Sequence, residues 1–117
     1  MTVKEIADIL EANIISNPKE RDIDIKSACS TDMMSAVLYY HTPNSLLITS
    51  LNQPQVIRTA EIAGIKTIVF VLNKKPDQHI VEHAENKNIS LLITPLCMYS
   101  ASGRLYQAGL PGCSQKF

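Results

Sequence analysis

Two sets of side chains in this sequence have residue types and spacings that could bind a metal or a small ligand. The first set contains a pair of histidines. Residues His79–His83 match the H-x-x-E-H pattern of inverted zinc proteases. Histidines four residues apart share one face of a helix, where they can bind a metal together. Because the apolar residues of this helix define its buried side, we expect His79, Glu82 and His83 to face solvent. We therefore predict no metal and no cofactor, and keep metal-dependent hydrolysis by these three residues as an alternative.

The second set lies where predicted strands end and helices begin. Three almost continuously apolar runs, 45–50, 66–72 and 89–94, are typical of parallel strands covered on both faces. The carboxyl ends of parallel strands meet at one edge of the sheet, where open α/β folds bind ligands. Hydroxyl, amide, carboxylate and ammonium groups are concentrated at these joints. The predicted ligand-binding residues are Ser30, Thr31, Asp32, Thr49, Ser50, Asn52, Asn73, Lys74 and Thr94.

A competing explanation for the hydroxyls is helix capping, because Ser30, Thr31 and Ser50 are residue types that commonly cap helices. The chain has four glycines, and their spacing excludes both the G-x-G-x-x-G fingerprint and the P-loop. A phosphate can still bind at helix N-termini, and Lys74 and Lys75 add positive charge there. The edge is thus predicted to hold a small polar ligand, such as a nucleotide or phosphorylated metabolite.

The elements that must position these residues alternate between helical and extended patterns. Thr2–Glu5 reads as a capping box at the start of the first helix, and short extended segments are predicted at 13–16 and 22–26. Helical spacing of apolar residues predicts helices at 3–11, 31–41, 54–63, 77–87 and 95–108. The predicted fold is one α/β domain over residues 1–110, with a mostly parallel central sheet flanked by helices in βαβ units. Residues 111–117 are predicted to be a loosely attached C-terminal tail.

Composition excludes several classes of function. The chain has 117 residues, with 11 Lys and Arg against 11 Asp and Glu. This balance supplies no broad positive field, so we predict no nucleic-acid partner and no anionic membrane partner. No apolar run approaches the roughly 20 residues that span a bilayer. Because residues 1–5 lack a secretory signal pattern, a cytoplasmic location is expected.

Three cysteines at irregular spacing do not predict a disulfide framework. No two of Cys29, Cys97 and Cys113 are spaced as a C-x-x-C pair. Three cysteines are also fewer than the four that usually bind an iron–sulfur cluster. We expect them to be buried or incidental. Cys29 and Cys97 lie near predicted helix starts, where the helix dipole can lower the pKa of a thiol.

The predicted helix at 31–41 is apolar around much of its circumference, which a helix with one buried face does not require. One interpretation places it in the middle of the domain. The other makes it a self-association face, because methionine and tyrosine suit interfaces. On the second interpretation we predict a homodimer through this helix.

Residues 1–110 resemble the DRTGG domain. The segments that carry the resemblance are Thr2–Ala7, Cys29–Ser35, Leu47–Ser50, Val56–Ala60 and Ser102–Tyr106. The resemblance implies a compact α/β fold similar to the N-terminal domain of HPr kinase. It also implies a regulatory or accessory role, often as a dimer, rather than catalysis. Members that stand alone are associated with redox systems such as iron hydrogenases, which makes a redox-enzyme subunit the alternative function.

The sequence departs from the family pattern at two joints. The family's Gly-Asp-Arg stretch falls on residues 51–53, and its glycine pair falls near Leu72 and Asn73. Loss of the arginine and the glycines removes a charge and a close approach of the backbone. The resemblance carries over Ser30, Asp32 and Thr49, with Asn52 as a polar replacement. The predicted function is a non-catalytic regulatory domain that binds a small ligand at this edge.

Overall fold

The computed structural model describes residues 1–18 and 23–113, in which five helices and five strands follow the alternation seen in the sequence. The helices are α1 (Val3–Leu10), α2 (Met34–Tyr40), α3 (Pro54–Ala63), α4 (Gln78–Asn86) and α5 (Met98–Gln107). The strands are β1 (Asn13–Ser16), β2 (Ser27–Ser30), β3 (Ser45–Thr49), β4 (Thr67–Phe70) and β5 (Ser90–Ile93). The helix predicted at 3–11 is observed as α1, and the predicted capping box is present, because Thr2 and Glu5 cap each other reciprocally.

The strands form one sheet in the order β1-β5-β4-β3-β2. β2, β3, β4 and β5 are parallel, whereas β1 pairs antiparallel with β5 at one edge. Every residue of β3, β4 and β5 is buried, as the apolar runs predict. The predicted α/β fold with a mostly parallel sheet is therefore confirmed, and the extended segment predicted at 13–16 forms an edge strand.

Side chains that alternate along the strands divide the core between the two faces of the sheet. Leu47, Ile68 and Leu91 pack with the apolar sides of α2, α3 and α4. Leu46, Ile48, Val69 and Leu92 pack with α1 and α5 on the opposite face. The central strands are covered on both sides, and their carboxyl ends reach the same edge of the molecule.

The prediction of a strand at 22–26 is wrong for residues 23–26. Asp22 lies outside the described residues, and residues 23–26 are not a strand. Ile25 is buried, but its N–H donates to Met1 O (2.7 Å), and Lys26 N–H donates to Asn44 O (3.0 Å). The alternation therefore reflects burial of an extended segment without sheet pairing. The strand begins at Ser27, in a short polar sequence that carries no apolar run.

The interpretation that places helix 31–41 in the middle of the domain is also wrong. Val37 is the one buried residue among the seven residues of α2. The exposed apolar side chains on and beside this helix are Met33, Leu38, Tyr39 and Tyr40. α2 packs against α3 near the β2 edge, so one helical stripe is covered and the remainder faces outward.

The sequence predicts no disulfide framework and a loosely attached tail from residue 111. The structure differs on the first point, and on the second point for residues 111–113. Cys29 is buried as expected, but it forms a disulfide with Cys113, with 5.2 Å between the Cα atoms. The pairing gives no signal in the sequence because 84 residues separate the partners and only the fold brings them together. Residues 111–113 are attached to β2, whereas 114–117 lie outside the described residues, and the domain boundary at 110 stays a prediction.

Within the described residues, the longest and most apolar helices fall short of what crossing a membrane requires.

Candidate functional site

Asp32 joins the ends of β2 and β3 at the carboxyl edge. Its Oδ1 accepts a hydrogen bond from Thr49 Oγ1 (2.8 Å) and another from the Ser50 N–H (2.7 Å). Its Oδ2 accepts from Ser50 Oγ (2.5 Å). The three predicted residues are therefore brought together, with the carboxylate surrounded by donors from the neighbouring joint.

Two opposing effects act on the pKa of Asp32. Partial burial raises it, and the hydrogen bonds from Ser50, Thr49 and the Leu51 N–H lower it. The hydrogen bonds together outweigh the desolvation, so the pKa of Asp32 lies below its ordinary value. The carboxylate is consequently ionised at neutral pH, and it makes this end of the edge negative.

Helix capping does not account for these hydroxyls. The N-cap residues of α2 and α3 are Met33 and Gln53, and neither makes a side-chain capping hydrogen bond within residues 1–18 and 23–113. Thr31 Oγ1 instead accepts from the Met33 N–H (3.0 Å), and Thr31 lies two residues before the N-cap position of α2. Thr49 is fully buried, and its hydroxyl also accepts from the Leu51 N–H (3.1 Å).

The joint after β4 carries the positive charge of the edge. Leu72 and Asn73 both adopt left-handed backbone conformations, with φ of 59° and 54°. A bulky residue such as leucine rarely adopts this conformation, and glycine adopts it freely. The resemblance to the DRTGG domain places a glycine pair near these positions, and the backbone conformation found here is one that glycine adopts freely. Lys74 and Lys75 follow directly and are exposed.

Asn52 connects the β3 joint to the β4 joint. Its Nδ2 donates to Lys75 O (3.3 Å), and on the other side the Asn73 N–H donates to Thr94 O (3.0 Å). The structure therefore places Asn52, Asn73, Lys74 and Thr94 just beyond the carboxyl ends of three adjacent strands, β3, β4 and β5.

Thr94 has a structural role in this arrangement. It is fully buried, its Oγ1 donates to Leu10 O (2.6 Å), and the same oxygen accepts from the Leu96 N–H (3.2 Å). The side chain thereby ties the end of β5 to the C-terminus of α1. Its hydroxyl therefore makes both of these hydrogen bonds within the protein.

Ser30 is separated from the Asp32 cluster and lies in a cleft that sequence reasoning missed. Its Oγ lies 2.6 Å from Ser102 Oγ on α5. The cleft between α5 and β2 has a volume of about 540 Å³. Its lining is mostly apolar and includes Ala28, Ser30, Ile48, Tyr99, Ser102, Gly103, Leu105, Tyr106, Leu110, Pro111 and Gly112. Tyr99 and Tyr106, two turns apart on α5, were the available signal, but spacing alone does not reveal that both are exposed.

Cys97 is exposed and is a free thiol at the N-cap position of α5. Its pKa is lowered, mainly by hydrogen bonds from the Ser100 hydroxyl and the Ser100 N–H. The predicted lowering at a helix start is thus present, and the donors of the first turn supply it.

The histidine motif does not assemble a metal centre in the described part of the chain. His79 and Glu82 are exposed and His83 is partly exposed, while Ile80 and Val81 are buried. Among residues 1–18 and 23–113, no three His, Cys, Asp or Glu side chains are grouped closely enough to hold a metal. The motif therefore lies on the solvated face of α4, as its apolar pattern predicts.

Comparisons with known proteins agree with this architecture. The family model described as the DRTGG domain matches residues 5–108. The chain is similar to the CBS and DRTGG domains of the regulatory region of Clostridium perfringens pyrophosphatase, crystallised with the activator diadenosine tetraphosphate. The TM-score is 0.78 at 19% identity, over 94% of this chain and 47% of that chain. This chain therefore spans about half of that region, and the likeness establishes the fold. No curated protein matches the chain.

Proposed function

The chain belongs to the DRTGG domain family, and on that premise we propose that it is a non-catalytic regulatory domain. It binds a small polar ligand, a nucleotide or phosphorylated metabolite, at the carboxyl ends of its parallel strands. The structural neighbour supports this class, because its DRTGG domain lies in a regulatory region crystallised with a nucleotide activator. The position at the strand ends follows the general location of ligand sites in open α/β sheets.

One observation carries the proposal: a pair of lysines lies between the starts of two helices. β4 lies between β3 and β5, so the Lys74–Lys75 joint lies between the N-termini of α3 and α5. Within the described residues, Gln53 makes no side-chain capping hydrogen bond at the start of α3. Unpaired N–H groups, helix dipoles and ammonium groups together favour an anionic group such as a phosphate.

The charge of Asp32 determines how such a ligand lies. An anionic group avoids the ionised carboxylate, so its place is at the β4 joint, near Asn73 and Lys74. Because the oxygens of Asp32 already accept hydrogen bonds from Thr49 and Ser50, these three residues position the β2 and β3 joints. The contacts to the ligand then come from Asn52, Asn73 and Lys74.

Calorimetric titration with a panel of nucleoside mono-, di- and triphosphates and sugar phosphates tests the proposal. We expect at least one compound to bind, and the double substitution Lys74→Ala, Lys75→Ala to weaken it at least about tenfold, since a hydrogen bond to a charged group contributes about 1.5–3 kcal/mol and about 1.4 kcal/mol is tenfold. Lys66→Ala is the matched control, because this exposed lysine precedes β4 at the opposite end of the sheet. Absence of binding across the whole panel contradicts the proposal.

The exposed apolar face of α2 favours a further proposal, that the chain forms a homodimer through this helix. Tyr39 is 71% exposed and Met33 is 63% exposed, which is unusual for residues of these types. The same face suits the alternative function, a protein-interaction subunit whose partner is a redox enzyme such as an iron hydrogenase. Affinity purification from the native host, with mild cross-linking, separates the two: a self-linked pair supports the dimer, and a cross-linked redox enzyme supports the alternative.

A further inference from the structure

The contacts that hold the segment Pro111–Cys113 on the outer edge of β2 include two hydrogen bonds and one covalent bond. The Ala28 N–H donates to Pro111 O (3.0 Å), and the Cys113 N–H donates to Ala28 O (2.9 Å). The Cys29–Cys113 disulfide fixes the end of this contact. Because two isolated hydrogen bonds at a sheet edge contribute modestly, the disulfide is the main constraint on the segment.

The same segment forms part of the α5–β2 cleft. Pro111 and Gly112 line the cleft together with Ser30 and Ser102. Ser30 is followed directly by Thr31 and Asp32, at the carboxyl edge of the sheet. The position of the segment therefore affects the shape of the cleft and the exposure of the outer edge of β2. Because Ser30 lines the same cleft, it also affects the β2 end of the proposed ligand-binding edge.

We propose that the Cys29–Cys113 disulfide is a redox latch on this segment. When oxidised, it holds residues 111–113 against β2. When reduced, it releases them, which opens the α5–β2 cleft and exposes the outer edge of β2. The effect on ligand binding rests on the proposed function, whereas the release of the segment does not.

Cys29 and Cys113 differ in exposure, and this difference determines which sulfur a reductant attacks first. Cys29 is 4% exposed within the core, whereas Cys113 is partly exposed. A thiolate of a dithiol reductant attacks the Cys113 sulfur, the disulfide breaks, and Cys29 leaves and takes up a proton. The second thiolate of the reductant then displaces Cys113, which also takes up a proton. Two electrons reduce the protein to two thiols, and the reductant leaves as a disulfide.

The fold allows residues 111–113 to be released while the sheet stays intact. β2 remains paired with β3 along its full length, from Ser27 opposite Ser45 to Ser30 opposite Ile48. A reduced Cys29 stays in the apolar cluster as a small hydrophobic side chain. Reduction therefore frees the outer edge of β2 and leaves the inner pairing intact.

Amide hydrogen exchange measured by NMR on the full chain tests the latch. One sample is oxidised with glutathione disulfide, and the other is reduced with dithiothreitol. We expect the amides of Ala28 and Cys113 to exchange at least about tenfold faster after reduction, because both are bonded only across the released contact. The Thr94 amide, which donates to Phe70 O (2.9 Å), is the internal reference and should not change.

Two variants complete the test. Cys113→Ser should show the fast exchange at Ala28 in both conditions, whereas Cys97→Ser, which lacks the free exposed thiol, should respond as the unsubstituted chain does. Equal rates in the oxidised and reduced samples overturn the latch. An equal acceleration at Thr94 also overturns it, because the disulfide would then hold the whole fold rather than one segment.

Ligand titration separates this proposal from the proposed function. Any compound that binds in the calorimetric panel is titrated into both redox forms, and a different affinity in the two forms supports control of the site. Equal affinities overturn that control. If no compound binds, the proposed function fails, and amide exchange still decides whether the latch exists.

Discussion

At the scale of single residues, Asp32 is the side chain on which the geometry of the edge depends. It accepts hydrogen bonds from the Thr49 hydroxyl and from both donors of Ser50. The sequence predicts that these residues share an edge, because Asp32 precedes a predicted helix and Thr49 and Ser50 end a predicted strand. It does not reveal that the carboxylate is occupied by its neighbours, since that depends on the loop conformation between Ser30 and Met33.

The substitution Asp32→Asn should lower the free energy of unfolding by about 1 kcal/mol, because an amide replaces an ionised acceptor of several hydrogen bonds. Chemical denaturation at neutral pH measures the change. Asp8→Asn, at an exposed position on α1, is the control and should remain within about 0.5 kcal/mol of the unsubstituted chain. An Asp32→Asn chain as stable as the control would show that the network does not stabilise the edge.

The effect of Asp32 should depend on pH in a defined direction. Its pKa is lowered in the folded state, so its contribution is complete at pH values above its ordinary pKa of about 3.9. As the pH falls through the lowered value, the carboxylate becomes protonated in both states and the contribution is lost. The difference in unfolding free energy between the Asp32→Asn chain and the unsubstituted chain should therefore be constant above about pH 5 and shrink below about pH 4. A difference that grows on acidification would contradict this assignment.

At the scale of elements, α2 shows where pattern analysis reaches its limit. The apolar composition of this helix predicts extensive contact, but one sequence cannot tell whether the core or a second copy makes it. The structure covers Val37 and leaves Leu38 42% exposed. In contrast, the runs that form β3, β4 and β5 are predicted well, because short, continuous apolar runs are typical of parallel strands that are buried on both faces.

We expect Leu38→Glu to convert a dimer into a monomer, because a charge in an apolar contact must lose its hydration. Light scattering at tens of micromolar concentration measures the mass. Ile14→Glu is the matched control, since Ile14 is 40% exposed on β1 at the opposite edge of the sheet. A monomer before any substitution, or dissociation caused equally by Ile14→Glu, would rule out α2 as the interface.

At the scale of the whole molecule, the sheet order brings the polar joints together at the carboxyl ends of the strands. The C-terminal segment covers the outer side of the edge strand β2. β2 is the outermost parallel strand, and residues 111–113 pair with its free side through the Ala28–Gly112 bridge. An uncovered edge strand invites pairing with other chains, so this cover is part of the fold as well as of the proposed latch. The sequence could not predict it, because Cys29 and Cys113 lie at opposite ends of the chain.

The central claim is that a small anionic ligand binds at the carboxyl edge near the β4 joint. NMR titration of the labelled chain with the best compound from the calorimetric panel locates the site most directly. We predict that the largest amide shifts fall at residues 72–75 and at Asn52, with smaller shifts at the starts of α3 and α5. Shifts confined to α4 or to the amino ends of the strands, or no shifts with any compound, would contradict the claim.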